Sequence, residues 1–279
     1  MQTYLDCFPC FLQQALRAAR QATDDPVTIK QVLDEVGRML GSIPMQSPPP
    51  QTGVWIYQKV SRITGNPDPY RELKQTSIAR ALALYPELKQ RVADSRDPLL
   101  TAIRVAIAGN VIDFGVNRVF DLEADVADVL EKDFAVCDDL EFRAALDRAE
   151  DVLYLGDNAG ETVFDRVLIE TIGKKVTYVV RGAPIINDAT YEDAVQSGLD
   201  RVATIVSSGS TAPGTLLEQC SDDFRDRFQQ AGFIISKGQG NYEGLSGRNE
   251  PVFFLLKAKC PVISRDIGVN QDAILLKRL

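Results

Sequence analysis

The 279-residue sequence contains no histidine. Ser-His-Asp and Cys-His catalysis both need an imidazole as the base, and most zinc hydrolase sites use histidine as a ligand. These mechanisms are therefore excluded, together with phosphohistidine chemistry. Any catalysis must use carboxylates, lysine, cysteine, serine or a metal ion bound through oxygen.

Long apolar runs and paired cysteines are scarce as well. No apolar run approaches the roughly 20 residues that cross a bilayer, and residues 1–6 lack the basic end and apolar core of a signal peptide. The five cysteines are an odd number without the dense spacing of a disulfide scaffold. We therefore expect a cytoplasmic protein with reduced cysteines.

Positive charge is also in short supply, since the formal net charge is -8 and the sequence pI is about 4.8. Nucleic acids and anionic membranes attract proteins with a positive field. We therefore expect neither as a partner. With 45% hydrophobic and 25% charged residues, the chain can bury a sizeable core, either as one large domain or as two modest ones.

Helical spacing of apolar residues dominates the first half. The predicted helices are 7–22, 27–40, 54–63, 70–92, 98–112, 123–134 and 139–149. The proline-rich residues 44–51 predict a loop, and Pro86 predicts a bend or break. No strand is convincing before residue 151. We therefore predict a helical N-terminal domain over residues 1–150, with oligomeric state left open.

Short β-branched runs separated by helical patterns begin at residue 151. The predicted strands are 152–155, 175–180, 203–206, 233–236, 252–256 and 262–264, and the predicted helices are 163–172, 189–196, 214–220 and 222–230. Alternation of this kind favours a mainly parallel sheet with helices on both faces. We therefore predict a Rossmann-like α/β/α sandwich over residues 151–279.

Polar side chains follow two of these strands where oxygen ligands would be useful. Asp157 and Asn158 come directly after the first strand, and Asp188 lies in the segment after the second. Open parallel sheets bind ligands beyond the carboxyl ends of their strands. Carboxylate and amide oxygens suit Mg²⁺ or Mn²⁺, with water and substrate phosphate completing the coordination. These three residues are the candidate metal ligands.

Two further strand ends carry residues suited to phosphate. Ser207, Ser208 and the N–H groups around Gly209 precede a predicted helix, whose N-terminus would favour an anion. Lys237 adds a point charge. An Asp, Asn or Ser after a strand is most often only a turn former or helix cap. The functional interpretation depends on four strand ends coinciding.

Four other charged or polar residues have two open interpretations each. Asn110 and Asp113, three apart on one helix face, either close the pocket or fix the helix against the sheet. Glu161 and Arg181 either touch the substrate or pair with one another.

The Cys7-x-x-Cys10 pair suggests metal binding or redox chemistry. A zinc site would need two more ligands, and no second close cysteine pair supplies them. A thioredoxin-like motif would follow a strand, whereas this pair opens a predicted helix. Structural packing is therefore the favoured interpretation, with a metal or redox-sensitive pair left open.

Several motifs resemble the signatures of the damage-control phosphatase family. They are GDNAGE at residues 156–161, RGAPIINDAT at 181–190 and KGQGN at 237–241. The resemblance extends to CFPC at 7–10 and GNVID at 109–113, as in the shorter prokaryotic branch of the family. It therefore covers nearly the whole chain, in order.

The resemblance implies a metal-dependent phosphatase acting on small phosphorylated metabolites, such as sugar phosphates or damaged cofactor derivatives. It implies that Asp157, Asn158 and Asp188 hold a divalent cation, for which we consider Mn²⁺, Mg²⁺, Co²⁺ and Ni²⁺. Our hypothesis for catalysis is that Lys237 and the turn at 207–209 neutralise developing charge while water or Asp157 attacks in line. The same resemblance implies a helical N-terminal part joined to an α/β/α sandwich.

Two other function classes were weighed. A dinucleotide-binding oxidoreductase is disfavoured because Gly156-x-x-x-Gly160 is not the G-x-G-x-x-G spacing. A non-catalytic metal- or metabolite-binding protein, or a carboxyl methyltransferase, is the remaining alternative.

Overall fold

The computed structural model describes residues 1–111 and 129–279, with the side chain of Val111 left aside. In this part of the chain the fold is mixed α/β around one seven-stranded sheet. The strands are β1 (Phe134–Cys137), β2 (Asp151–Leu155), β3 (Lys175–Val180), β4 (Thr204–Ser207), β5 (Ile234–Lys237), β6 (Val252–Lys257) and β7 (Ile274–Arg278). The predicted fold class is confirmed.

The strand order is β1-β7-β6-β5-β2-β3-β4. The five strands from β6 to β4 are mutually parallel, while β7 runs antiparallel to β6 and pairs in parallel with β1. The carboxyl ends of β2, β3, β4 and β5 therefore lie on one edge. The chain leaves β2 toward β3 and later returns on its other side as β5, which makes β2 the topological switch point where open sheets bind ligands.

Eleven α-helices that lie wholly within the described residues accompany the sheet. They are α1 (Cys7–Ala22), α2 (Pro26–Leu40), α3 (Pro49–Thr64), α4 (Arg71–Asp94), α5 (Pro98–Val111), α6 (Asp139–Arg148), α7 (Thr162–Ile172), α8 (Tyr191–Gln196), α9 (Asp222–Gln230), α10 (Gly238–Leu245) and α11 (Pro261–Ile267). No helix in the described ranges is long and apolar enough to cross a bilayer.

Alternate residues along each strand face two different helical layers, as a sheet covered on both sides requires. Val152 and Tyr154 of β2 pack with α4 to α8, whereas Leu153 and Leu155 pack with α9, α10 and α11. Helices α1, α2 and α3 form a separate cluster around Phe11.

The first half of the chain contributes to the sheet as well as to this helical cluster. Helix α5 packs against α7, and β1 forms one edge of the sheet. The expectation of no strand before residue 151 is therefore wrong. The predicted division at residue 150 stays a prediction.

Three further elements differ from the prediction. Residues 262–264 belong to helix α11, because Pro261 occupies the first helical position and Gly268 ends the helix. Strand β7 was missed, and β1 begins at Phe134, where a helix was predicted. Residues 123–128 of that predicted helix lie outside the described residues.

The other differences between the predicted and observed helices occur at segments that contain proline or glycine. Helix α4 continues through Pro86 without a break, and α3 already begins at Pro49, within the predicted loop. The helix predicted over 214–220 is absent, and only a short 3-10 turn at Leu217–Gln219 forms there. Helix α10 was not predicted, because its sequence GQGNYEGL has two glycines in its first three residues.

Candidate metal centre

The loops after β2 and β3 are joined directly by backbone hydrogen bonds. Asn158 and Asp188 form an isolated antiparallel bridge, in which the Ala159 N–H donates to the Asn187 carbonyl at 2.8 Å and the Ala189 N–H to the Asp157 carbonyl at 2.8 Å. The structure therefore brings all three predicted metal ligands together at the switch point.

Asp157 is buried and fixed by amide groups. Its Oδ2 accepts hydrogen bonds from Asn110 Nδ2 at 3.0 Å and from Asn158 Nδ2 at 3.3 Å. Gly238 packs against the same carboxylate so closely that a Cβ atom there would lie 1.9 Å from Oδ2. Helix α5 and the start of α10 therefore both position this carboxylate.

Glu161 connects the two amide side chains that contact Asp157 with Lys237 at the end of strand β5. Its Oε1 accepts from Asn110 Nδ2 at 2.6 Å and from the Asn158 amide, and its Oε2 accepts from Lys237 Nζ at 3.0 Å. Asn110 thus closes the site from the helical half of the chain. Asp113, its predicted companion, lies outside the described residues.

Lys237 is fully buried between two carboxylates. Its Nζ also donates to Asp165 Oδ1 at 2.6 Å, and Asp165 accepts from Tyr154 and Tyr178, each at 2.7 Å. Burial lowers the pKa of Lys237, but Asp165 and Glu161 raise it by more, so that it lies above its usual value. These contacts favour a charged lysine that positions Glu161. The direct phosphate contact that we expected of Lys237 stays a prediction.

Arg181 pairs with the predicted ligands and not with Glu161. Its Nε donates to Asp188 Oδ2 at 2.7 Å, and its Nη2 lies 3.8 Å from Asp157 Oδ1. Asn241 Oδ1 accepts from Arg181 Nη2 at 3.1 Å, while the Asn241 amide donates to the carbonyls of Gly156 and Lys237. Asn241 therefore ties the loops after β2, β3 and β5 together.

The site has an excess of negative charge. Four buried carboxylates face two buried basic groups, which gives a formal charge of -2 when all are ionised; the carboxylates are Asp157, Glu161, Asp165 and Asp188, and the basic groups are Arg181 and Lys237. Burial raises the pKa of Asp157 well above its usual range, and Glu161 and Asp188 raise it further. Burial also raises the pKa of Asp188, against the opposing charge of Arg181. A divalent cation would offset this repulsion.

Carboxylates supply only part of the ligand set that a hard cation would need at this site. No group of three Cys, Asp or Glu side chains in residues 1–110 and 129–279 is arranged to hold a metal ion. Binding would therefore depend on the Asn158 amide and on oxygens from water or substrate, as is usual for Mg²⁺. Asn110 Oδ1, buried and without a hydrogen-bond partner in the described residues, is a further oxygen at the site.

The loop after β4 lies next to the loop after β3. Among the described residues it makes no hydrogen bond or ion pair with the side chain of Asp157 or Asp188. The Gly182 N–H, one residue beyond Arg181, donates to the Ser210 carbonyl at 2.8 Å. The N–H groups of Gly209 and Ser210 bond to the hydroxyls of Ser207 and Ser208, and the helix expected to follow does not form. A phosphate contact by Ser207, Ser208 or Gly209 stays a prediction.

The Cys7-x-x-Cys10 pair lies on α1, with Cys7 buried and Cys10 exposed. Burial raises the pKa of Cys7, which keeps it a thiol. Gln14 Nε2 donates to Cys10 Sγ at 3.2 Å. Both cysteines are free in the structure, which accords with the packing interpretation, while a metal or redox role stays open.

Asp165 and Asn241 were not predicted as site residues. Asp165 lies four residues after Glu161, so both carboxylates face one side of the same helical segment; that spacing was visible in the sequence. Asn241 is part of the KGQGN motif, but its link to Arg181 depends on β5 lying beside β2, which the sequence order does not reveal.

Replacing Lys237 with methionine is expected to lower the free energy of unfolding by about 3 to 5 kcal/mol, because Glu161 and Asp165 would be left buried without their cation. Urea unfolding measures this loss. The double variant Lys237→Met/Asp165→Asn should recover part of it. A loss below about 1 kcal/mol in the single variant would contradict a buried ion pair.

Comparison with known protein families identifies the family of this chain. Residues 3–275 match the model of the damage-control phosphatase ARMT1-like domain. The chain belongs to this family. The motifs quoted from the sequence therefore lie within the matched region, and the suspected resemblance is confirmed.

Individual members of the family are similar over nearly their whole length. The damage-control phosphatase PH1575 of Pyrococcus horikoshii is 34% identical, covering 100% of this chain and 98% of its own. A damage-control phosphatase of Archaeoglobus fulgidus is 36% identical, covering 97% of each chain. The crystal structure of PH1575, described as a DUF89 family protein, superimposes with a TM-score of 0.92 over 100% of this chain and 99% of its own.

Proposed function

We propose that this damage-control phosphatase family member is a divalent-metal-dependent phosphatase that hydrolyses small phosphorylated metabolites. The observation that carries the proposal is the convergence of Asp157, Asn158 and Asp188 in a buried site with a formal charge of -2. Two relatives that match over nearly the whole chain are named damage-control phosphatases, which supports phosphate ester hydrolysis.

In this proposal Asp157, Asn158 and Asp188 would hold the cation, which would supply electrostatic stabilisation of charge on the transferring phosphoryl group. The preferred ion is left among Mn²⁺, Mg²⁺, Co²⁺ and Ni²⁺. Asn110 on α5 donates hydrogen bonds to Asp157 and Glu161, and Lys237 at the end of β5 donates to the other oxygen of Glu161. These side chains keep the ligand oxygens in one orientation, so that little reorganisation is needed during reaction.

Arg181 is the basic group best placed to meet substrate. Its guanidinium lies against Asp188 and within 3.8 Å of Asp157 Oδ1, where it can bind a phosphate oxygen in addition to its carboxylate partner. Asp157 is held at Oδ2 by two amides, which suits a ligand better than a free nucleophile. We therefore propose water as the attacking group.

The test is phosphate release from p-nitrophenyl phosphate and a panel of phosphorylated metabolites, measured with each cation and with EDTA. We expect turnover with at least one cation and none with EDTA. Absence of phosphate release with all four cations and every ester would contradict the proposal and leave metabolite binding as the alternative function.

A further inference from the structure

A cavity of 320 Å³ lies beside the candidate metal centre. Its walls come from helix α3, from the segment between α3 and α4, and from the loops after β3 and β4. It is thus placed beyond the carboxyl ends of parallel strands, where α/β folds bind ligands. Ligand pockets have volumes of about 300 to 1,000 Å³, so this one suits a small metabolite rather than a dinucleotide.

The cavity adjoins the metal centre through the loop after β3. Pro184, Ile185 and Ile186 line it, and the Ile185 carbonyl accepts a hydrogen bond from the Asp188 N–H at 3.0 Å. Tyr57 on α3 also lines the cavity, and its pKa is raised well above its usual value by burial first, then by Tyr70 and by the charge of Asp188. A molecule in the cavity would therefore lie next to a predicted metal ligand.

The loop after β3, which lines the cavity, has a strained backbone. Ile186 has a φ of +45°, one of two non-glycine residues with positive φ in the described ranges. A β-branched residue in this region is a genuine outlier, and such strain is concentrated at ligand sites. The strained residue lies between Arg181 and Asp188, which are both in the centre.

Asp68 supplies an unused acceptor at the cavity wall. Its side chain is 9% exposed, and its Oδ2 lies 3.3 Å from Lys74 Nζ, which also pairs with Asp193. Its Oδ1 is buried and has no hydrogen-bond partner in the part of the chain that the structure describes. A buried carboxylate oxygen without a donor is costly, so rotation of the Asp68 carboxylate toward the cavity, where a ligand hydroxyl could donate to it, would be favoured.

We propose that this cavity binds the organic part of the phosphate ester and that Asp68 selects esters carrying a hydroxyl donor. The inference rests on the proposed phosphatase function and adds the location and chemistry of the leaving-group site. Tyr57 and Tyr70 offer aromatic surface for the carbon skeleton, and Asp68 accepts from its hydroxyl. At the adjoining centre Arg181 would bind the phosphate, together with the cation that Asp157, Asn158 and Asp188 would hold.

The test compares two esters of equal carbon number, sorbitol 6-phosphate and hexyl phosphate, by kcat/KM. The ratio between the polyol and alkyl esters measures the contribution of hydroxyl groups. In Asp68→Asn this ratio is expected to fall about 10-fold or more, since hydrogen bonds to a charged group exceed those to a neutral one. Asp34→Asn, which changes an exposed carboxylate on α2, is the matched control and should keep the ratio.

A second variant keeps the test decisive if Asp68→Asn fails to fold, as judged by its thermal unfolding. Ser61→Phe on α3 places a ring at the cavity wall and should raise KM for both esters at least several-fold. Release of phosphate with an unchanged ratio in Asp68→Asn, or an unchanged KM in Ser61→Phe, would overturn the cavity assignment alone. If the wild type releases phosphate from neither these esters nor any ester of the panel with any of the four cations, the proposed function fails and the inference with it.

Discussion

Replacing Asp157 by asparagine is expected to lower cation-dependent phosphate release by about 1,000-fold, the upper range for loss of one preorganised electrostatic group. The change keeps the shape of the side chain but removes the charge that the cation requires. Initial rates of phosphate release at saturating cation give the comparison. Activity within tenfold of the wild type would contradict the role of Asp157 as a ligand.

The same variant separates loss of the site from loss of the fold. Asp157 is buried near Glu161 and Asp188, and both carboxylates raise its pKa. Removing its charge relieves repulsion, so in EDTA the variant should unfold at the same temperature as the wild type or at a higher one. Mn²⁺ should raise the unfolding temperature of the wild type, because a ligand bound only by the native state stabilises it, and should leave the variant unchanged.

Gly238→Ala is expected to be nearly as damaging to activity, with a large loss of stability in addition. The backbone at Gly238 has a φ of +77°, and an added Cβ would lie 1.9 Å from Asp157 Oδ2. Either the carboxylate or the start of α10 must then move, which displaces the predicted ligand from Asn158 and Asp188. Phosphate release and thermal unfolding measure the two effects.

Gly268→Ala is the matched control for backbone strain. Gly268 has a φ of +82°, but in the described residues no heavy atom beyond its own neighbours along the chain lies within 4 Å of an added Cβ. It should therefore show only the cost of a left-handed alanine, about 1 to 2 kcal/mol, with wild-type activity. Equal effects of the two substitutions on activity would show that the contact with Asp157 is unimportant.

The strand ends of the site were predictable because their signals are local. The run Val152-Leu153-Tyr154-Leu155 before Asp157 is apolar, and a glycine-containing polar turn follows it, so both the strand and its end can be predicted from the sequence. Parallel strands place successive carboxyl ends on one edge, which is why Asp157 and Asp188 were expected to meet. Their joining by the Asn158–Asp188 bridge is a tertiary detail that refines this expectation.

The role of Lys237 was not predictable in the same way. Its partners Glu161 and Asp165 are distant in the chain and meet it only because β5 lies next to β2 in the sheet. A lysine at a strand end suggested a charge directed at substrate. The fold buries that charge between two carboxylates, and a contact of Lys237 with phosphate stays a prediction.

The failed helix at 214–220 has a similar tertiary cause. Gly214 adopts a φ of +143°, and a Cβ there would lie 2.3 Å from the Gly240 carbonyl oxygen. The backbones around Gly214 and Gly240, which are distant in the sequence, therefore pack together at this point. The spacing of apolar residues in the sequence cannot predict such a contact. The phosphate cradle expected at the helix N-terminus depended on an element that the packing prevents.

Anomalous diffraction from crystals soaked in Mn²⁺ tests the central claim most directly. The account predicts one strong Mn²⁺ peak within coordination distance of Asp157, Asn158 and Asp188, and none at this place in Asp157→Asn crystals soaked in the same way. A wild-type peak elsewhere, with these three residues unliganded at saturating Mn²⁺, would contradict it.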